Sequence, residues 1–169
     1  LEPEMRDVGP AVGLAMTVLA KDYPDTPTAV VWSDHFVKKD RRFREVLTFA
    51  EKLVQKKKDS IVFIGQRARF ANQNLGWTEL GREVGSMRGT KIFQFKRHVY
   101  RPTLQEAEHF LESGKFAWYP GYFVSTPRFI LEQYRRFVPE MWKTLQKIHE
   151  AVGKPNFNNV LQKIYPKLK

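Results

Sequence analysis

The sequence predicts an α/β fold with a mostly parallel central sheet. Helix-type and strand-type patterns alternate over residues 11–65, and the two strand-type runs are short, apolar and followed by polar or glycine residues. Buried strands of parallel sheets have this continuous apolar character, and right-handed crossovers join them through helices. At 169 residues the chain is long enough for one domain with a hydrophobic core.

The first predicted helix covers residues 11–20, where apolar side chains recur with helical spacing. Pro10 suits the first turn, and Gly9 is placed in a loop that leads into it. A helix start of this kind attracts anions through its free N–H groups, although an ordinary capped start is the simpler interpretation. A strand follows over residues 28–33.

Asp40 is a candidate cap for a second helix, whose apolar stripe ends at the basic residues 56–58. Residues 60–65 are apolar up to a closing glycine and predict a second strand. Two extended segments, 76–84 and 88–97, are expected to turn near Gly85 and Ser86.

Thr103 and Glu106 have the spacing of a helix capping box, and Ser113-Gly114 is a helix stop, so residues 104–111 predict a short helix. A strongly aromatic segment occupies residues 116–124. Beyond Pro127 the pattern is helical, with interruptions at Pro139 and Pro155.

The chain is strongly basic, with 29 lysines and arginines against 18 acidic residues and a net charge of +11. Such an excess favours polyanionic partners, but the basic residues are spread along the chain, as is typical of solvated helix faces. The sequence has no cysteine, which excludes disulfides and cysteine-ligated zinc and agrees with an intracellular protein. No apolar run approaches the roughly 20 residues that span a bilayer, so no membrane partner is expected.

The sequence lacks the motifs that are typical of several enzyme classes. The four histidines lack zinc-site spacing, and no GxSxG elbow, P-loop or GxGxxG motif is present. Aromatic and basic residues interleave in residues 93–101, which is a pattern of nucleic-acid stacking strips. Strand aromatics more often belong to a core and RNP-type spacing is missing, so nucleic acid is not the expected partner.

Asp34 follows the apolar run from Ala29 to Trp32. Ligands of open α/β sheets bind outside the carboxyl ends of the strands, where a catalytic or metal-binding carboxylate is useful. The alternative is that Asp34 forms a turn or caps a helix, and the short run from Ala29 to Trp32, taken alone, favours that alternative.

Six segments, taken in order, resemble the motifs of one family. They are Glu2-Pro3 with Arg6 and Pro10-Ala11, Ser33-Asp34-His35, Phe63-Ile64-Gly65, Gly76-Trp77-Thr78-Glu79, Phe93-Gln94-Phe95-Lys96, and the run from Glu106 through Ser113-Gly114 and Trp118 to Phe123. The family motifs are EPxxRNTAPA, PADH, FGI, TGYGYIE, FVEKP and AxxYxxSGxYxWNSGMF. The chain resembles the mannose-1-phosphate guanylyltransferases of the sugar-phosphate nucleotidyltransferase superfamily.

The resemblance implies a Rossmann-like three-layer αβα nucleotidyltransferase fold, of which residues 1–169 would be the central part of a single catalytic domain, incomplete at both ends. It also implies a cytoplasmic enzyme that joins a nucleoside triphosphate, GTP in this family, to a sugar 1-phosphate, here mannose 1-phosphate, and releases pyrophosphate with Mg²⁺ as cofactor. Whether the protein forms homo-oligomers is left open by the resemblance. The alternative function is a catalytically inactive basic module that binds RNA or another polyanion.

By position in the motifs, the resemblance assigns a role to each candidate residue. Asp34 would bind the metal and act in catalysis, and Lys96 would act in catalysis and hold the sugar phosphate. Nucleotide binding falls to Glu2, Arg6 and Pro10. The sugar-phosphate site comprises Gly76, Trp77, Lys96, Trp118 and Gly121, with the backbone near Gly76 approaching the sugar.

The chain departs from the family motifs at two sugar-contacting positions. Phe95 stands where FVEKP has its glutamate, and Tyr119 stands where WNSG has its asparagine. The resemblance further places a triphosphate-binding GGxGTRLWPLS loop before Leu1 and another metal-binding aspartate after Lys169. The start on leucine, without an initiator methionine, also suggests a fragment.

Overall fold

A computed structural model of the chain describes residues 2–168 and shows a mixed α/β fold. The elements in chain order are α1 (Val8–Leu19), β1 (Thr28–Val30), α2 (Asp40–Lys56), β2 (Ile61–Phe63), β3 (Gln66–Arg67), β4 (Gly76–Met87), β5 (Thr90–Val99), α3 (Leu104–Ser113), β6 (Phe116–Tyr119), β7 (Phe123–Ser125), α4 (Pro127–Phe137), α5 (Pro139–His149) and α6 (Phe157–Ile164). A 3₁₀ turn, Tyr165–Lys167, follows α6. Among the described helices, none is both long and apolar enough to cross a membrane.

The described residues divide into two compact units. The first unit comprises residues 2–28, 54–61 and 125–168, and the second comprises residues 29–53 and 62–124. The expectation of a single catalytic domain stays a prediction.

The first unit is built on packed helices, with α1 against α4 and α5, and α5 against α6. Asp7 caps α1 by accepting a hydrogen bond from the Val8 N–H at 2.7 Å, as an ordinary helix start requires. The predicted helix is therefore confirmed, but it begins at Val8 and includes Gly9 instead of following it. A Cβ at Gly13 would lie 2.8 Å from Leu145 Cδ1, so this glycine lets α1 approach α5 closely.

The C-terminal half of the first unit confirms the predicted helices and both interruptions. Pro139 is the first residue of α5, where its missing N–H costs no hydrogen bond. Thr126 caps α4 by accepting from the Phe129 N–H at 3.2 Å. The second interruption is the segment between α5 and α6, which contains Pro155.

A four-stranded sheet in the order β3-β6-β4-β5 dominates the second unit, and every pair of neighbours in it is antiparallel. The expectation of a mostly parallel sheet is wrong for these four strands. The two-residue connection between β4 and β5 cannot join parallel strands. That connection is Arg88-Gly89, with φ of 48° and 75°. Gly85 and Ser86, where the turn was predicted, lie inside β4 instead.

The core of this sheet lies under α3, where Trp77, Ala107, Phe110 and Trp118 form one buried cluster. Helix α3 was predicted correctly. Thr103 and Glu106 complete the capping box, and Gly114 ends the helix in the left-handed conformation.

Strands β1, β7 and β2 form a separate three-stranded sheet in that order. The two strands joined through α2 are therefore not neighbours, because the later strand β7 lies between them. Strand β1 ends at Val30, before the predicted end at residue 33. The chain then enters an irregular segment that carries Asp34.

Candidate functional site

Asp34 lies in an exposed turn beyond the end of β1, and hydrogen bonds on both sides of it hold this turn in place. On one side, Trp32 donates its indole N–H to the carbonyl oxygen of Pro120 at 2.9 Å. On the other, His35 Nδ1 and the Tyr122 hydroxyl share a hydrogen bond of 2.5 Å. The turn of residues 32–35, called here the Asp34 turn, is thus fixed against the loop of residues 120–122.

The loop that receives the Asp34 turn is itself restrained. Gly121 has φ of +89°, and a Cβ at this residue would overlap the indole nitrogen of Trp32. The Ile64 N–H donates to the carbonyl oxygen of Tyr122 at 2.9 Å, which ties the loop to the end of β2. A glycine is needed here for both its backbone conformation and the close approach of the indole.

Tyr122 is 7% exposed and packs against Phe43 with ring centroids 5.3 Å apart. Burial, and secondarily the negative charge of Asp34, raises the pKa of the Tyr122 phenol. The phenol therefore stays neutral at physiological pH and keeps its hydrogen bond with His35.

The carboxylate of Asp34 has no hydrogen-bond or ion-pair partner within residues 2–168. Over the same residues, no group of three histidine or acidic side chains is arranged to hold a metal ion. An all-protein metal cage is therefore not formed by the described part of the chain. One accessible carboxylate does fit Mg²⁺, which commonly uses one or two carboxylates together with substrate phosphates and water.

Two of the positions that depart from the family motifs meet in an aromatic cluster. His98 stacks on Tyr119 with centroids 4.2 Å apart and contacts Phe95 at 4.7 Å. Phe63 packs edge-on against both His98 and Tyr119, at 4.6 Å and 5.4 Å. The hydroxyl of Thr78, a buried residue, lies 2.8 Å from His98 Nδ1 in a hydrogen bond.

Burial favours the neutral forms of the two titratable side chains in this cluster, His98 and Tyr119. It lowers the pKa of His98 and raises the pKa of Tyr119 to about 12. The cluster of Phe63, Phe95, His98 and Tyr119 is therefore a neutral aromatic surface at physiological pH.

Lys96 lies on the opposite face of the sheet from His98. Its ammonium donates to Glu79 Oε1 at 2.9 Å, while the Nε of Arg97 donates to Glu79 Oε2 at 2.8 Å. Both cations reach one carboxylate because a register shift between β4 and β5 falls at this point. Hydrogen bonds from Arg97 and Lys96 hold the pKa of Glu79 below its usual value.

Trp77 and Trp118 are core residues, with 0% and 3% exposure. Their side chains are unavailable to a ligand, so the predicted sugar-phosphate role of these positions is restricted to their backbone. Gly76 pairs with Tyr119 across the β4–β6 ladder.

In the first unit, the structure brings Glu2 and Arg6 to the C-terminal turn. The Tyr165 hydroxyl donates to Glu2, and Arg6 donates to the Pro166 carbonyl oxygen and to Glu4. Burial and Glu2 raise the pKa of Tyr165. Pro10 is buried in the first turn of α1.

The structure thus gathers some of the predicted site residues and not others. Asp34 and Gly121 meet through the Asp34 turn, whereas no hydrogen bond or ion pair within residues 2–168 joins Asp34 to Lys96. Sequence reasoning missed the His35–Tyr122 pair and the Thr78–His98 pair. The local signals for the first pair were a histidine next to the candidate aspartate and a tyrosine next to Gly121.

The sequence profile of the nucleotidyl transferase family matches residues 1–160. The chain belongs to this family. The match covers nearly the whole chain, and the alternative of a catalytically inactive basic module that binds RNA or another polyanion is not favoured.

Curated relatives of this nucleotidyl transferase chain confirm the resemblance seen in the sequence. A xanthan biosynthesis protein, XanB, of Xanthomonas campestris pv. campestris (strain B100) is 27% identical over 151 residues, covering 89% of this chain and 31% of the relative. Mannose-1-phosphate guanylyltransferase 2 of Escherichia coli O157:H7 is 26% identical over 153 residues, covering 88% of this chain and 31% of the relative. The chain therefore spans about a third of the length of these relatives.

A solved structure supports the nucleotidyltransferase fold. The structure described as mannose-1-phosphate geranyltransferase from Thermus thermophilus matches with a TM-score of 0.83 and 24% identity, covering 99% of this chain and 45% of that chain. The predicted fold family is confirmed, with the antiparallel sheet of the second unit as the correction to its details.

Proposed function

We propose that the protein containing this chain transfers a nucleotidyl group from a nucleoside triphosphate, GTP by the names of its relatives, to a sugar 1-phosphate, mannose 1-phosphate by the same names. The observation that carries the proposal is the Asp34 turn, which is fixed from both sides and carries an exposed carboxylate that has no hydrogen-bond or ion-pair partner among residues 2–168. Its position in the chain matches the metal-binding aspartate of the family that the sequence resembles.

The proposed reaction needs no protein nucleophile. An oxygen of the sugar phosphate attacks the α-phosphorus of the triphosphate, the bond from that phosphorus to the bridging oxygen breaks, and pyrophosphate leaves with the bonding electrons. The protein must align the attacking oxygen with the leaving group and neutralise negative charge on the phosphates.

Asp34 would hold a divalent cation together with the phosphates of the substrate. When bound, Mg²⁺ neutralises phosphate charge and orients the reacting groups. The chain's own contribution is to keep the carboxylate in one place, through Trp32 on one side and the His35–Tyr122 pair on the other. Gly121 permits the close packing that this arrangement requires.

Lys96 would pair with the phosphate of the sugar as a point charge. Its side chain is 54% exposed and its ammonium is bound to Glu79, so a phosphate must compete with that carboxylate. Arg97 also binds Glu79, so the carboxylate keeps a cationic partner when Lys96 turns toward a ligand.

For nucleotide binding we propose Glu2, Arg6 and Pro10, with Arg6 as the cationic member. The Arg6 Nε is buried without a hydrogen-bond partner within residues 2–168. A buried guanidinium N–H without a partner favours an anionic acceptor.

The decisive experiment measures pyrophosphate release by the full-length protein with GTP, mannose 1-phosphate and Mg²⁺. We expect Asp34→Asn to lower kcat by about a hundredfold or more, because charge neutralisation at the phosphates is lost, with little change in Tm. Asp22→Asn is the matched control, since Asp22 is also an exposed turn carboxylate, and it should keep full activity. Equal activity of Asp34→Asn and the unmodified protein would remove Asp34 from the mechanism.

A further inference from the structure

A basic cleft of about 350 Å³ lies in the second unit, apart from the residues assigned to the proposed reaction. Helix α2 and the β4–β5 turn form its walls. Five cationic side chains line it, namely Arg41, Arg42, Arg44, Lys52 and Arg88, and a single acidic residue does so. We propose that this cleft, called here the basic cleft, binds a compound that carries two or more linked phosphoryl groups.

The cations of the basic cleft are only partly neutralised. Glu45 is shared, with Arg41 at 3.4 Å from one oxygen and Arg42 at 3.2 Å from the other. Arg44 pairs with Asp40 at 2.9 Å. None of the ion pairs formed within residues 2–168 involves Lys52 or Arg88. Like charges that line the same cleft repel one another, and a polyvalent anion relieves that repulsion.

Arg42 makes the basic cleft a shaped site instead of a set of freely moving side chains. It donates from Nη1 to the Arg88 carbonyl oxygen at 3.1 Å and from Nη2 to Thr90 Oγ1 at 2.5 Å. These bonds connect α2 to the hairpin turn. The left-handed φ of 48° at Arg88 is part of the same turn, so the backbone that carries this cation is also defined.

The size and lining of the basic cleft favour a small polyphosphate over a long nucleic acid. Ligand sites of roughly 300–1,000 Å³ suit small molecules. Single-strand grooves stack successive bases on several aromatic side chains, whereas this cleft is lined by one aromatic residue, Phe49. Guanidinium groups match phosphate oxygens in paired hydrogen bonds, which favours linked phosphoryl groups.

The test uses the full-length protein without Mg²⁺ and titrates inorganic tripolyphosphate by calorimetry, with amide hydrogen exchange to locate the site. We expect added protection in residues 41–52 and 87–90. The double variant Lys52→Gln/Arg88→Gln should bind about tenfold more weakly or worse, because two charge-assisted contacts are lost. The control Arg82→Gln/Lys147→Gln removes the same charge from exposed positions outside the cleft and should stay within about twofold of the unmodified protein.

Further arms identify the ligand. Titration with GTP is scored by protection of residues 41–52 and 87–90, so that binding at the proposed nucleotide site is not counted: stronger protection than with tripolyphosphate indicates a nucleotide, and equal protection indicates the inorganic chain. Orthophosphate that binds as tightly as tripolyphosphate overturns the requirement for linked phosphoryl groups. Protection of the cleft by a single-stranded RNA but not by tripolyphosphate also overturns the proposal.

Equal weakening in both double variants, or the absence of protection in the basic cleft, would overturn the inference as well. Pyrophosphate release with GTP and mannose 1-phosphate is measured in parallel on every variant. An inactive unmodified protein contradicts the proposed function and leaves the result for the cleft unaffected, so the two failures are distinguishable.

Discussion

At the scale of single residues, two lysines of the β4–β5 hairpin each form an ion pair with a glutamate of β4. Lys96 donates to Glu79 and Lys91 donates to Glu83, both at 2.9 Å. Because the lysine of each pair is exposed to solvent, neither ion pair contributes much to stability. Any difference between variants of these two lysines therefore reports on function and not on folding.

We expect Lys96→Ala to lower kcat/KM for the sugar phosphate about tenfold, mainly through KM, because a cation that pairs with its phosphate is lost. Lys91→Ala should leave kcat/KM unchanged. The measurement is steady-state kinetics of the full-length protein with the sugar phosphate varied at saturating GTP. Equal kinetics of the two variants would show that Lys96 is only a surface lysine.

Gly121 and Gly89 give a second matched pair, since both have positive φ, +89° and +75°. A Cβ at Gly121 overlaps the Trp32 indole, whereas nothing lies within 4 Å of a Cβ at Gly89. We expect Gly89→Ala to destabilise by about 1 kcal/mol through backbone strain, and Gly121→Ala by about 2–4 kcal/mol through strain and overpacking. Denaturant unfolding measures both, and equal losses would show that the Trp32 contact is not rigid.

Sequence reasoning at this scale selected Asp34 as a candidate site residue, which stays a prediction, but did not find the groups that fix its turn. Asp34 is recognisable because it follows an apolar run and matches a family motif. Tyr122 and His35 are far apart in the chain, and their hydrogen bond depends on how the loop of residues 120–122 folds back. Trp77 and Trp118 were selected by their positions in the motifs, but those positions do not reveal that both side chains lie in the core.

At the scale of secondary-structure elements, local chemistry decided which predictions succeeded. Helix α3 was predictable because its start and stop depend on Thr103, Glu106 and Gly114 alone. The β4–β5 turn was not, because Arg88 adopts a left-handed conformation that is uncommon for arginine, while Gly85 lies inside a strand. The mostly parallel pairing expected of the central sheet does not hold for β3, β6, β4 and β5, since strand pairing depends on residues that are distant in the chain.

The ladder between β4 and β5 also brings together Thr78 and His98, and this pair predicts a pH effect. Burial lowers the pKa of His98 in the folded protein below the reference value of 6.5. As the pH falls below about 6.5, the unfolded chain takes up this proton more readily than the folded protein does. Stability should therefore decrease from pH 6.5 downward until folded His98 is also protonated.

We expect His98→Gln to flatten the dependence of the unfolding free energy on pH below about 6.5, because the proton uptake that favours unfolding is removed. The same variant should be less stable at about pH 7.5, where His98 is neutral in both states, since the stacking on Tyr119 is lost. His109→Gln, at an exposed position of α3, is the control and should keep the original slope. Denaturant unfolding over a pH series checks both statements, and a slope shared by all three proteins would contradict the linkage.

At the scale of the whole molecule, the family was predictable from the order of short motifs, although no single motif was decisive. The arrangement of the strands was not, because β7 enters between β1 and β2 from a point far along the chain. The net charge of +11 indicated a polyanionic partner without locating one. The basic cleft was hidden for that reason: its cations come from α2 and from a turn, and in the sequence they look like ordinary surface charge.

The proposed function also predicts a property of the full-length protein that requires no turnover. A ligand that binds only the folded state stabilises it by RT ln(1 + [L]/Kd), which is about 2.7 kcal/mol at a hundredfold excess over Kd. We expect GTP with Mg²⁺ to raise the Tm more than GTP alone, because under this proposal Asp34 would help to hold the cation that accompanies the nucleotide. In Asp34→Asn the additional shift from Mg²⁺ should disappear, while Asp22→Asn should retain it. An additional shift of the same size in both variants would show that the metal binds without Asp34, and the carboxylate of the Asp34 turn would then have no part in holding the nucleotide complex.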